Sequence, residues 1–235
     1  MITAPVIVLA TIGFGLASLA ISLFETSGRK QIAVARAWAR CLLWVSGVRV
    51  KVEGLEKIAP DGSYVFASNH LSYMDTPVVL ANIPVQFRFL AKTGLFRIPL
   101  LGTHLARAGH IPVPRDDARA AVKTMIIAAR AIRARGISLL IFPEGGRSHT
   151  GELDTFKEGA AYIAIRAGVP LVPIALKGTR EVLPFGSGKI LSGSVTMRIG
   201  EPMPMGDAEL HDRAHVTAEL RDSIVSMLAD EAIHA

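Results

Sequence analysis

Cysteine is nearly absent from this chain of 235 residues, because Cys41 is the only one. A single cysteine excludes an intramolecular disulfide framework and a thiolate metal cluster. Aromatic residues make up only 6%, so the interleaved aromatic platforms of many nucleic-acid binders are lacking, and we expect no nucleic-acid partner. Of seven histidines, only His211 and His215 stand four apart as a ligand pair would on a helix, and their place near the C-terminus favours a solvated face. We therefore expect no metal site and no cofactor.

Charge is scarce at 20% of residues, whereas half of the residues are hydrophobic, and this composition excludes a disordered chain. The formal net charge of +6 indicates an anionic partner. Residues 2–24 carry no charge at all, and as a helix they would cover roughly 34 Å, enough to span a bilayer core. A secretory signal would need a basic region before this stretch, and a buried globular helix would rarely be uncharged on every face.

The segment that follows, residues 28–51, carries six basic residues and no acidic one. The positive-inside bias therefore predicts an inner-membrane protein with its bulk on the cytoplasmic side. Apolar spacing over residues 32–45 predicts a basic amphipathic helix with Trp38 and Trp44 at a membrane interface, the alternative being a helix packed on the domain. We expect residues 1–50 to form membrane-anchoring helices, either a full span or a hairpin in one leaflet, and residues 51–235 to form one further domain.

Strands and helices alternate through that domain. Buried apolar runs predict strands at 64–67, 137–142, 171–176 and 195–199, and helical spacing predicts helices from 116–117 to Gly136, over 158–167 and through 216–228. This order is typical of an α/β fold: a single layered domain with a largely parallel sheet flanked by helices. In such folds the functional loops lie at the carboxyl ends of the strands.

A first candidate loop, residues 69–75, follows the first predicted strand and contains His70 and Asp75. A carboxylate held against one imidazole nitrogen fixes the tautomer, so the other nitrogen can take a proton from a substrate. No confident protein nucleophile accompanies this pair, so we infer that the hydroxyl of a substrate is activated. The alternative interpretation is a histidine that caps a helix beside an aspartate.

A second candidate loop, residues 142–148, follows the strand at 137–142. Gly145 and Gly146 let backbone N–H groups turn toward an anion, and Arg147 offers a planar fork that matches phosphate. Lys157, at the predicted start of the next helix, is a second cation for the same anion. Glu144 with Arg147 could instead be a structural ion pair, and the glycines an ordinary turn.

A third feature is a basic stretch, residues 76–115, that has no acidic residue. Its cations predict a positive surface, in which Lys92 and Arg115 are placed to enter a cleft. They are Arg88, Lys92, Arg97, Arg107 and Arg115.

Together these residues resemble the bacterial 1-acyl-sn-glycerol-3-phosphate acyltransferases of the lysophospholipid acyltransferase superfamily, over roughly residues 53–204. The motifs that carry the resemblance are N-H-x-x-x-x-D at 69–75, A-K-x-x-L-F-x-I-P-x-x-G at 91–102, G-x-I-P-V-x-R at 109–115, F-P-E-G-x-R-S at 142–148 and V-P-I at 172–174. Their combination in this order is more specific than any single motif.

The resemblance implies that residues 51–235 are an acyltransferase catalytic domain. It implies transfer of a fatty acyl group from acyl-CoA or acyl carrier protein, as co-substrate, to the sn-2 hydroxyl of lysophosphatidic acid at a lipid membrane, giving phosphatidic acid in phospholipid biosynthesis. His70 would be the general base and Asp75 its partner. The implied substrate-binding residues are Lys92, Arg115, Glu144, Gly145, Gly146, Arg147, Ser148 and Lys157. Another lysolipid acceptor, such as a lyso-aminolipid, and a nonenzymatic protein that binds anionic lipid are the alternatives.

Overall fold

A computed structural model describes residues 3–114, 117–148, 150–206 and 208–229. The helices are α1 (Thr3–Ser22), α2 (Arg29–Val45), α3 (Asp75–Asn82), α4 (Leu101–Arg107), α5 (Ala118–Arg135), α6 (Gly159–Ala167), α7 (Thr179–Val182) and α8 (Arg213–Ala229). The strands are β1 (Val48–Glu53), β2 (Val65–Ser68), β3 (Phe87–Lys92), β4 (Ile111–Val113), β5 (Ser138–Ile141), β6 (Leu171–Lys177) and β7 (Gly193–Ile199). Short 3-10 helices cover Leu55–Lys57, Thr93–Arg97 and Leu210–Asp212.

The seven strands form one sheet in the order β1-β7-β6-β2-β5-β3-β4. Every neighbouring pair is parallel except β6 and β7. All four residues of β2 are buried, and so are the first six of β6, as expected for strands covered on both faces. The predicted α/β fold with a largely parallel sheet is confirmed.

The predicted helix boundaries at α5 have a clear physical basis. The side chain of Asp117 accepts a hydrogen bond from the backbone N–H of Ala120, 3.0 Å away, and so satisfies a free donor of the first turn. At the other end Gly136 adopts the left-handed conformation, with φ 57°, that favours glycine after a last turn. A local capping signal at each end made this helix predictable from the sequence.

Two hydrophobic layers cover the two faces of the sheet. Phe66 of β2 packs into the layer that includes buried residues of α2 and α3. Val65 and Ala67, its neighbours along the strand, pack into the opposite layer with α5, α6 and α8. This alternation follows from the two-residue period of a strand. Helices α2 and α5 consequently lie on opposite faces of the sheet.

The N-terminal helix α1 is long and apolar enough over Pro5–Ser22 to cross a membrane. Three polar contacts tie it to the rest of the chain along its length. Thr11 Oγ1 accepts a hydrogen bond of 3.0 Å from Trp38 Nε1, and Ser18 Oγ lies 2.6 Å from His104 Nδ1. Near the end of the helix, Arg107 donates to the carbonyl of Ser22 at 3.3 Å. Helix α1 therefore packs on α2 and α4 rather than standing apart.

Helix α2 is amphipathic, and its apolar face packs on the domain. Two of its arginines contact protein carbonyls: Arg36 donates to Ile83 at 2.8 Å, and Arg40 donates to Ala81 at 3.4 Å. The structure therefore shows the alternative of a helix packed on the domain, because the carbonyls at the end of α3 accept hydrogen bonds from these cations. A position of this helix at a membrane interface stays a prediction. Trp44 remains 82% exposed. The boundary placed at residue 50 falls inside β1, and the membrane-anchoring role of residues 1–50 stays a prediction.

The predicted positive surface over residues 76–115 is wrong for Arg88. Its side chain is buried in β3 and donates hydrogen bonds to the carbonyls of Phe87, at 2.9 Å, and Ser27, at 3.1 Å. Burial lowers the pKa of Arg88 to about 10. This guanidinium therefore joins the turn before α2 to the sheet and is not available to a substrate. Three of the other cations, Lys92, Arg97 and Arg107, are exposed.

Candidate active site

Three neighbouring strands, β2, β5 and β3, end at the same edge of the sheet. His70 comes two residues after β2, and the loop 142–148 follows β5. Lys92 is the last residue of β3. The carboxyl ends of parallel strands meet at one edge, so the fold brings these sequence-predicted candidates together. Arg115 lies outside the described residues.

His70 and Asp75 form a hydrogen-bonded pair at this edge, with Nδ1 2.7 Å from Oδ2. The same carboxylate oxygen accepts hydrogen bonds from the backbone N–H groups of Leu71 and Ser72, both at 2.8 Å. Asp75 is fully buried, whereas the His70 side chain is 15% exposed. Because Asp75 accepts the Nδ1 proton, Nε2 is the nitrogen left to act as a base.

The loop that carries His70 is fixed by long-range contacts. Asn69 forms two hydrogen bonds with the backbone of Leu176 in β6: its Nδ2 donates at 2.9 Å, and its Oδ1 accepts at 2.8 Å. The imidazole of His70 stacks on Phe142, with ring centroids 4.0 Å apart. The ring is therefore held from its backbone, its Nδ1 and one face. Asn69 and Phe142 belong to the two motifs, but the sequence did not reveal these roles.

Glu144 joins the two candidate loops. Its Oε1 accepts a hydrogen bond of 2.6 Å from the backbone N–H of His70, and its Oε2 accepts one of 3.4 Å from the backbone N–H of Asp154. Among the described residues, the Glu144 carboxylate forms no ion pair with Arg147. Burial raises the pKa of Glu144 to about 7. Glu144 therefore supports the loop of the predicted base from behind.

Stability should depend on pH through Glu144. Its pKa is about 7 in the folded chain, against 4.5 ordinarily, so between these values the folded state holds more protons and the free energy of unfolding falls as pH rises. We expect wild-type protein to lose thermal stability relative to Glu144→Gln between about pH 5 and pH 8. Differential scanning calorimetry of both proteins at each pH measures this difference. Parallel pH profiles would contradict the assignment, and Glu152→Gln, on an exposed glutamate nearby, is the control.

Lys157 lies beside the glycine loop, and its predicted role as a second cation for a bound anion stays a prediction. Gly145 has φ 75°, a left-handed conformation that favours glycine. A Cβ at this position would lie 2.8 Å from Lys157 Nζ, so a side chain here would displace the ammonium group. Ser148 is buried, donates its N–H to the carbonyl of His70 at 3.1 Å, and places its Oγ 3.1 Å from the N–H of Gly151. Ser148 thus links the two candidate loops through its backbone and stabilises the turn that follows it.

Arg147 contacts two aromatic rings that the sequence did not single out. Its guanidinium carbon lies 3.4 Å from the ring centroid of Tyr73 and 5.2 Å from that of Phe185. Such cation–π contacts orient the guanidinium plane without neutralising it. Tyr73 lies inside the His70–Asp75 motif and could have been noticed there. Phe185 is remote in sequence and carries no local signal.

An apolar cavity of about 400 Å³ lies beside this edge, among α1, α2, α3 and α4. Thr76, the residue after Asp75, is part of its lining, and so is Phe89 of β3. Phe89 stacks at 6.4 Å on Phe142, which itself stacks on His70. The cavity therefore approaches the catalytic candidate from the side of the N-terminal helices.

Comparison with known proteins identifies the family. The acyltransferase family model matches residues 49–177. This chain belongs to the acyltransferase family. Among its relatives, the chloroplastic 1-acyl-sn-glycerol-3-phosphate acyltransferase LPAT1 of Arabidopsis thaliana is 35% identical over 75% of this chain and 49% of its own length. The 1-acyl-sn-glycerol-3-phosphate acyltransferase of Borreliella burgdorferi is 29% identical over 85% of this chain and 80% of its own.

The acyltransferase fold also matches a solved structure. The crystal structure of the 1-acyl-sn-glycerophosphate (LPA) acyltransferase PlsC from Thermotoga maritima covers 98% of this chain, with a TM-score of 0.75 and 24% identity. All of that chain is covered, so the architecture is shared throughout. This acyltransferase spans about half the length of the plant relatives that it matches.

Proposed function

We propose that this acyltransferase transfers a fatty acyl group from acyl-CoA or acyl carrier protein to the sn-2 hydroxyl of lysophosphatidic acid, giving phosphatidic acid in phospholipid biosynthesis. The observation that carries the proposal is the His70–Asp75 pair at 2.7 Å, at the edge of the sheet where Arg147 and Lys157 also lie. The names of the relatives support the same acceptor.

In the proposed reaction, His70 Nε2 takes the proton of the acceptor hydroxyl as its oxygen attacks the thioester carbonyl. Asp75 stabilises the imidazolium that forms, and no acyl-enzyme intermediate is needed. When the tetrahedral intermediate collapses, the new ester C–O bond remains and the C–S bond breaks. The thiolate of the donor then takes the proton from His70. The base is thereby restored, and the products are a diacyl lipid and a free thiol.

The acceptor phosphate is proposed to bind the cations around the glycine loop. Arg147 presents a planar fork, and Lys157 a point charge on Gly145. Lys92, exposed at the end of β3, adds a third cation at the same edge. Arg115 is proposed for this group from the sequence alone. The Val172–Pro173–Ile174 segment of β6 is buried behind the site, so its proposed role is packing beneath it.

The apolar cavity of about 400 Å³ is proposed to hold an acyl chain. Pockets of this size and lining take apolar ligands, with a few polar groups fixing their orientation. Its wall includes Thr11 and Phe14 of α1, so the N-terminal helix would help to form the substrate site. The same helix would then both attach the protein to the membrane and line the path by which a lipid substrate enters.

Attachment to the cytoplasmic face of the inner membrane is the proposed location. The outward side of α1 exposes large apolar residues such as Leu9, at 69%, and Phe24 at the turn after it, at 91%. The hydrogen bonds to Thr11 and Ser18 would break if α1 left the domain to span the bilayer. They favour a hairpin in one leaflet over a separate span.

Product analysis tests the proposed function. The full chain, reconstituted in vesicles of phosphatidylglycerol and phosphatidylethanolamine, is supplied with radiolabelled acyl-CoA and one lysolipid at a time. We expect labelled phosphatidic acid from lysophosphatidic acid. Acylation of a lyso-aminolipid, with none of lysophosphatidic acid, would show that the acceptor is the lyso-aminolipid. Binding to vesicles without any acylated product would support a nonenzymatic lipid-binding protein in place of an enzyme.

Removal of the Arg147 guanidinium should mainly weaken acceptor binding. Phosphate positioning is shared between ground and transition states, so Arg147→Ala is expected to raise the KM for lysophosphatidic acid by about tenfold while kcat changes little. Steady-state kinetics with varied acceptor and saturating donor measures the change. Arg49→Ala, on the edge strand β1, is the charge-matched control. An effect confined to the KM of the acyl donor would contradict the assignment.

A further inference from the structure

Helix α5 carries a basic stripe that the proposed chemistry does not use. Its members, defined here as the α5 stripe, are all exposed and recur at helical spacing on one face: Arg119, Lys123, Arg130 and Arg133. At 1.5 Å per residue they extend over about 21 Å. The whole of α5 contains no acidic residue. A positive line of this length is available to a protein-sized partner.

Within the described residues, no ion pair uses the charges of the α5 stripe. In the described parts of the chain, no acidic side chain forms an ion pair with any of its four members. Two aliphatic side chains flank the stripe, one on each side: Val122 is 45% exposed and Ile127 is 57% exposed. Cations with interspersed apolar contacts suit a surface that is acidic and partly apolar.

The position of α5 argues against a membrane as the partner. The apolar helix α1 and the amphipathic helix α2 lie on one face of the sheet, and α5 lies on the other, with α6 and α8. A membrane that holds α1 would therefore leave the α5 stripe facing water. The first residues of α5 follow β4, whose carboxyl end pairs with Lys92 at the active-site edge. A soluble partner on the stripe would thus sit beside the entrance to the site.

We propose that the α5 stripe docks acyl carrier protein as the acyl donor. This partner is a small acidic helical protein that presents its acyl chain as a thioester on a long flexible arm, so its charge fits the stripe and its arm carries the acyl group to the site edge. The inference rests on the proposed function, since it names the donor for the same reaction. Charge complementarity of this kind mainly speeds encounter and fixes orientation.

The test is a double charge reversal, Arg119→Glu with Lys123→Glu. Both positions lie near the N-terminus of α5, where negative side chains interact favourably with the helix dipole, so folding should be retained. The full chain in detergent micelles is tested for binding to hexadecanoyl acyl carrier protein and in acyl transfer with the same chain on carrier protein or CoA. The reversal should raise the Kd for the carrier at least about tenfold. With hexadecanoyl-CoA, kcat and KM should stay within about twofold.

Salt and a matched control sharpen the test. Carrier binding by the wild type should weaken markedly between about 20 and 200 mM salt, and binding by the reversed variant much less. Arg49→Glu, a reversal on β1 away from α5, should bind the carrier like the wild type. An unchanged carrier Kd in the reversed variant overturns the proposal, and so does loss of anionic-vesicle binding in its place. If the wild type failed to acylate lysophosphatidic acid from hexadecanoyl-CoA, the proposed function would be overturned instead. The carrier-binding measurement does not depend on that reaction.

Discussion

Replacement of His70 by alanine is expected to lower kcat by about 10² to 10⁴-fold, the usual contribution of a positioned general base. His70 Nδ1 is already bound to Asp75 at 2.7 Å, so Nε2 is the proton acceptor that the variant loses. The loop itself should persist, because Asn69 and Glu144 hold it through backbone contacts. The measurement is steady-state acyl transfer from radiolabelled acyl-CoA at varied concentrations of lysophosphatidic acid. Acceptor KM should change far less than kcat.

Two further proteins make the His70 result specific. His70→Gln fills part of the space on Phe142 and can still contact Asp75, yet it supplies no base, so it should be as slow as the alanine variant. His215→Ala removes an exposed imidazole from α8 and should leave turnover unchanged. Thermal melting of all three controls for folding. Turnover by folded His70→Ala within about tenfold of the wild type would remove His70 from the mechanism.

The second large effect is expected from Asp75→Asn, with kcat falling by about 10² to 10⁴-fold. An amide oxygen in the place of Oδ2 would keep the contacts from Leu71 and Ser72 but bring no negative charge to the imidazolium. An amide nitrogen there would oppose those N–H groups and favour the wrong tautomer of His70. Both orientations therefore cost turnover.

Kinetics should separate this charge effect from general damage. Because Asp75 does not lie among the cations proposed to bind phosphate, the acceptor KM should stay near the wild-type value while kcat falls. Asp222→Asn, on the exposed side of α8, is the matched control and should behave as wild type. A folded Asp75→Asn protein with nearly full kcat, or one in which only KM rises, would show that the carboxylate does not assist the base.

Several strands were missed for identifiable reasons. In β3 the sequence F-R-F-L-A-K presents Arg88 in the middle of a buried run, and a charged residue normally marks a surface. Its burial is possible because the carbonyls of Ser27 and Phe87 and the Gln86 side chain accept hydrogen bonds from its guanidinium. Strand β4 has three residues, one of them Pro112, so it has little pattern of its own. Strand β1 alternates apolar and charged residues within a stretch that its basic charge led us to treat as membrane-proximal.

Some residues of the candidate site could be predicted from the local sequence, and others could not. His70 and Asp75 were predicted together because they lie five residues apart, at a turn leading into α3, where one local conformation brings them into contact. Lys157 was predicted near the glycine loop because it precedes the next helix by two residues. By contrast, Glu144 was expected to shape the acceptor site or pair with Arg147, and it contacts the backbone of His70, 74 residues away. No local pattern could have given that contact.

From the sequence alone came the fold class, the apolar N-terminal helix, and the candidate pair His70–Asp75 with the cations of the second loop, because periodicity, capping and short-range geometry are local properties. The tertiary structure alone decided what surrounds them. It placed the Arg147 guanidinium near the rings of Tyr73 and Phe185, built the apolar cavity from four helices and Phe89 of β3, buried Arg88 and set α5 on the face away from α1. These features depend on contacts between distant segments, which form only when the sheet assembles and its two faces are covered.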